Sequence, residues 1–161
     1  MAAERTKQER RTFLVVVDQT PELNVALRFA CRRARATGGR VAMLYVTEPP
    51  ASSEWLAVGD LIREERRAEA EARLQELSAQ VTKLAGDLPI FHVREGSVKV
   101  ELLKLLAEEP SISILVLGAA TGPKGPGPLV SALAGKLSGK LRVPITIVPG
   151  SLSDEDVDAI T

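Results

Sequence analysis

Apolar and polar positions along the chain fall into two interleaved patterns. Thr12 to Asp18, Arg40 to Val46, Leu88 to Val93, Ile112 to Leu117 and Pro144 to Val148 are short, nearly continuous, β-branched apolar runs. That is how strands buried on both faces read. Between them, apolar residues return at helical spacing: Leu23, Ala26, Leu27, Ala30 and Ala34; then Leu74, Leu77, Val81 and Leu84 within a charged stretch from Ser53 to Ala85; then Leu129, Leu133, Leu137 and Leu141. Thr20 is expected to cap the first helix with Pro21 in its first turn, Gly38-Gly39 to close it, Ser97 to cap a helix ending before Pro110, and Glu69 to pair with Arg73. Strands alternating with helices, and no hairpins, predict an α/β single domain. Its core is an open five-stranded, mostly parallel sheet with helices on both faces and right-handed crossovers.

Composition narrows the chemistry. Lys plus Arg and Asp plus Glu are 21 each and aromatics only 3%, so neither a cationic field nor a stacking platform points to nucleic acid or an anionic membrane. Residues 1–11 are expected to form a flexible basic tail, residues 12–150 the domain, and residues 151–161 a flexible acidic tail rich in Asp154, Glu155, Asp156 and Asp158. Cys31 is the sole cysteine, which excludes an intrachain disulfide and favours a reducing, cytoplasmic setting; no apolar run suits a bilayer span or a secretory signal.

In an open parallel sheet, ligands bind beyond the carboxyl ends of the strands, where strand order reverses. Here Asp18, Val46 and the loop after Leu117 occupy those ends, and Asp18 and Gly118 share one crevice if the first and fourth strands are neighbours. Together, a strand ending in Val-Val-Val-Asp18, the order of elements, and a Gly-rich loop between the fourth strand and last helix resemble the universal stress protein family, over about Thr12 to Gly150. The resemblance implies an adenine nucleotide alpha hydrolase-like, Rossmann-like fold and a stress-response role, with ATP or another adenine nucleotide as the expected ligand. It assigns Asp18 to the adenosine end of the ligand and the Val46 backbone to adenine.

The family's nucleotide loop reads G-x-x-G, nine residues, then G-[ST]. Counted back from Pro144, those positions hold Gly118, Thr121, Ser131 and Ala132, so one of the four matches; Gly122 replaces the second glycine if the loop shifts by one residue. Pro123, Pro126 and Pro128 each remove an amide donor. Phosphate binding is therefore expected to be weak, altered or absent. Two readings of this loop stand side by side: a rigid surface loop ahead of a capped helix, or an anion seat. The second uses the amides of Leu129, Val130 and Ser131 with Lys124 as counter-charge.

Catalytic patterns do not emerge. His92, the only histidine, lies in a strand, Cys31 reads as a small core thiol, and no G-x-S-x-G elbow or metal-ligand cluster occurs. Trp55, after Pro49-Pro50, reads as core packing, with a crevice cover or a dimer contact as alternatives. Apolar Ile145 and Ile147 on a last strand at a sheet edge predict a homodimer joined through that strand. A dimeric interaction or scaffold protein of the same fold, with an unknown protein partner and no nucleotide, is the competing reading.

Overall fold

The computed structural model describes residues 10–53 and 55–161. Strands β1 (Thr12–Val16), β2 (Arg40–Thr47), β3 (Ile90–Glu95), β4 (Ile112–Ala119) and β5 (Ile145–Pro149) form one sheet of order β3-β2-β1-β4-β5. Every pairing is parallel. Helices α1 (Glu22–Thr37) and α2 (Leu56–Ala85) cover one face through Leu27, Ala30, Leu74 and Val81. Helices α3 (Val98–Glu108) and α4 (Pro128–Ala134) cover the other through Leu102, Leu106 and Leu133. All five residues of β1 are buried because both its faces are covered and both its edges are paired.

Several local expectations change. Thr20 does not cap α1: its hydroxyl donates to Asp18 Oδ1 at 2.6 Å, and no side chain caps the helix start. Gly38, at φ 70°, does close that helix in the left-handed conformation. The leucine series from Leu129 to Leu141 is not one helix. Gly135 adopts φ −104°, ψ −115° after Ala134, the chain resumes as a short 3-10 turn at Ser138–Lys140, and Leu129, Leu137 and Leu141 still pack on the core. Arg73 turns toward Glu76 at 3.3 Å instead of pairing with Glu69, which faces a cleft.

Trp55 is 82% exposed rather than packed in the core. In α2, Gly59 sits against Pro50 and the next fully buried residue is Ala70, so the helix start has little to pack on. The expected basic tail lies outside the described residues except for Arg10 and Arg11; Arg10 donates to Gly38 O and Gly39 O and pairs with Asp87 at 2.7 Å.

Where a flexible acidic tail was expected, Asp154–Ile160 forms helix α5. Ser153 and Asp156 make a reciprocal capping box, and three early carboxylates suit the helix dipole. Val157 is fully buried, and Arg28 grips Asp158 with two hydrogen bonds at 2.8 and 2.7 Å. A buried valine and a bidentate arginine hold the charged run that looked solvated in isolation. Hydrogen bonding to Arg28 lowers the pKa of Asp158, and that of Asp156 is lowered by the Ser153 amide and hydroxyl.

Candidate functional site

Strand order reverses between β1 and β4, so the crevice of this sheet opens at the carboxyl end of β1. A cleft of about 480 Å³ lies there on the β2 side, and a second pocket of about 280 Å³ on the β4 side. Val16, Asp18, Pro128 and Leu129 line both, so the two spaces adjoin across the end of β1.

Asp18 stands between them because the chain leaves the sheet after Val17, whose amide makes a last bond to Leu44 O at 2.7 Å. Its Oδ1 accepts both the amide and the hydroxyl of Thr20, at 2.9 and 2.6 Å, in a local turn that fixes the carboxylate. Oδ2 has no partner among the described residues.

Val46 contributes backbone. Leu44 directs its carbonyl toward β1, and Thr47 directs its own toward β3, where the amide of Gly96 meets it at 2.9 Å. Because alternate residues of a strand address opposite neighbours, Val46 turns its N–H and C=O toward β1, beyond the point where β1 has ended. The larger cleft therefore has a donor and an acceptor on its wall beside Asp18, with Tyr45, Val98 and Leu129 as apolar surroundings.

The β4 side differs. Gly118 lines the smaller pocket, and a Cβ there would lie 2.5 Å from Glu22 O and 2.7 Å from Glu22 Cβ. Close packing of the α1 start against β4 is sufficient reason for that glycine. Thr121, Gly122, Lys124 and Ser131 line neither space, whereas Leu129 and Val130 do. The Ser131 amide, expected to be free for an anion, donates to Gly127 O at 3.0 Å as the first α4 helix bond. The Ala120 amide is likewise turned into the loop, onto Pro126 O.

Sequence patterns did not assign Arg66, Glu69, Lys99 or Glu48, which line the larger cleft, or Glu22 of the smaller one to the site. Arg66 donates to Glu48 O and Pro49 O, tying α2 to the chain leaving β2, and Lys99 makes no ion pair among the described residues. Glu22, Arg66, Glu69 and Lys99 sit on helices and Glu48 on the connection after β2; what brings them together is the fold.

Cys31 is fully buried in the α1 core, and burial pushes its thiol up to about 12. His92 lies half-buried on edge strand β3, and burial lowers its pKa. Neither lines the cleft. Among the described residues, no group of His, Cys, Asp or Glu could hold a metal ion, and no helix is long and apolar enough to cross a membrane.

Residues 9–149 match the model of the universal stress protein family. No curated protein matches the sequence. Among solved structures, universal stress protein UspA from Lactobacillus plantarum aligns with a TM-score of 0.70 at 17% identity, covering 87% of this chain and 98% of that one. A universal stress protein in complex with cAMP aligns at TM-score 0.63 and 17% identity, covering 89% and 99%. The universal stress protein from Archaeoglobus fulgidus in complex with dAMP aligns at TM-score 0.55 and 18% identity, covering 86% and 98%. At such identities the likeness establishes a shared Rossmann-like α/β fold, and the family model spans that same fold. The chain belongs to the universal stress protein family.

Proposed function

We propose that this protein is a regulatory, stress-response module of the family whose larger cleft receives an adenine-bearing ligand, with weak, altered or absent binding of ATP phosphates. The observation that carries this reading is the Val46 backbone edge, unpaired among the described residues, beside the oriented carboxylate of Asp18. Such an edge offers one donor and one acceptor to a planar heterocycle, and a carboxylate oxygen suits ribose hydroxyls. The cAMP and dAMP complexes of two structural neighbours favour the same ligand class. Against phosphates stand the Ser131-Ala132 pair, the three prolines and the inward-turned amides of the loop.

A binding role, not catalysis, is the reading we favour, because the side chains most suited to nucleophilic or acid-base work, Cys31 and His92, sit away from the cleft. A reducing, cytoplasmic setting suits a lone, buried thiol. Calorimetric titration with adenosine tests the proposal: saturable one-to-one binding that Asp18→Ala weakens is expected, and no heat of binding at millimolar adenosine would refute it.

The interaction-module reading rests on a separate observation. β5 is a sheet edge, and Ile147 on it is 42% exposed. Pairing of two β5 edges into a homodimer would cover both. Light scattering should report twice the monomer mass at micromolar concentration; a monomer throughout would exclude that assembly.

A further inference from the structure

We propose that this site selects an unphosphorylated nucleoside over its phosphorylated forms, and that Glu22 is the residue responsible. The inference rests on the adenine reading above and adds the class of ligand and the cause of its selection. A ligand whose ring lies against Val46 and whose sugar reaches Asp18 has the smaller pocket as the adjoining space, because Asp18 and Leu129 line both. A 5′ phosphate chain would have to enter there.

The charged side chains lining that pocket are Asp18 and Glu22, and no Lys or Arg joins them. Lys99 and Arg66 line only the larger cleft, and Lys124 lines neither. Glu22 is held in place by its surroundings. A Cβ at Gly118 would come within 2.7 Å of its Cβ, and a Cβ at Gly150 within 2.9 Å of its Cγ, so the ends of β4 and β5 close on the stem of this side chain. Backbone donors are reduced as well, since Pro126 and Pro128 carry no N–H and the Ala120 amide is turned onto Pro126 O, which leaves the amides of Gly127, Leu129 and Val130 on that wall against two full carboxylate charges.

A polyphosphate in this space meets two carboxylates between apolar walls, where screening is weaker than in open solvent. Ribose hydroxyls, by contrast, meet the Asp18 carboxylate as an acceptor. Repulsion of charge, not lack of room, is thus the basis of discrimination.

Calorimetric titrations of adenosine, AMP and ATP against the wild type and Glu22→Gln test this. Glutamine keeps the stem that Gly118 and Gly150 accommodate, and a matching melting curve verifies the fold. In the wild type at low salt, adenosine should bind at least about tenfold more tightly than ATP, as expected for unit charges a few ångströms apart at partial burial. Glu22→Gln should tighten ATP by about the same factor while adenosine is unchanged. In the wild type alone, raising the salt should narrow the gap.

Equal or tighter wild-type binding of ATP, or a gap that neither Glu22→Gln nor salt reduces, overturns the inference and leaves the adenine reading standing. Failure of adenosine itself to bind the wild type overturns both.

Discussion

The two sides of the β1 terminus share one topology and differ in chemistry. On the β2 side the sheet runs on past β1, so the Val46 backbone groups face the cleft without a partner among the described residues, and Asp18 is oriented beside them by Thr20. On the β4 side the equivalent opening is narrowed by the first turn of α1, Gly118 is required by its contact with Glu22, and the amides of Ala120, Gly125 and Ser131 bond locally while three more are lost to proline. A topological switch point supplies a crevice; the groups that crowd each wall decide what enters it.

Substitutions can break that contrast. The largest effect is expected from Gly118→Ala, whose new methyl would lie 2.5 Å from a backbone oxygen. A loss of about 3 kcal/mol in denaturant unfolding is expected from overpacking, against less than about 0.5 kcal/mol for Gly122→Ala, which has open space around it. Equal melting of the two variants would show that Gly118 is not held by packing.

Next in size, Asp18→Ala removes both the Thr20 anchor and the acceptor of the larger cleft. Adenosine affinity should fall by about thirtyfold, the weight of a hydrogen bond to a charged group, with little change in melting temperature. An unaltered affinity would move the ligand off the β2 side.

A smaller effect concerns the support behind the β4 wall, because α5 docks on the helix that carries Glu22. Asp158 and Asp156 both have lowered pKa values in the folded chain. Their contribution is therefore complete above the ordinary carboxylate pKa of about 4 and is lost only as pH falls through the lower folded values. Amide-exchange protection of residues 154–160 should hold from pH 7 to about 5 and decline only as pH falls below the ordinary carboxylate range, while β1 stays protected. Protection unchanged in Asp158→Asn at pH 7 would show that the Arg28 pair does not hold α5.

Smallest of all should be the effects of Lys124→Glu and Ser131→Ala. Both positions were marked as anion contacts by the sequence, yet neither lines the cleft or the pocket. Adenosine affinity in each should stay within about twofold of wild type, as for other substitutions remote from a site. A marked loss would return the ligand to the loop.

The strands were legible because a buried parallel strand has a local signature, and the Asp18–Gly118 neighbourhood followed once β1 and β4 were taken as neighbours. Helical leucine spacing located α2 well but overran α4, since the same spacing continues through Gly135, whose backbone conformation ends the helix. Ser153-x-x-Asp156 was a readable cap; the partners that make α5 a docked helix, Arg28 and Arg32, lie more than a hundred residues away. Glu22 was visible as an early helix carboxylate, but its position between Gly118 and Gly150 exists only after three strand ends converge.

On the proposed reading the ligand sits against Val46 and Asp18 and not on the glycine-proline loop. An amide chemical-shift titration of the labelled protein with adenosine tests it residue by residue. The largest shifts are expected at Asp18, Gln19, Val46 and Thr47, with Thr121, Gly122 and Lys124 unmoved. Shifts confined to the loop from Thr121 to Ser131, with Val46 unmoved, would contradict it.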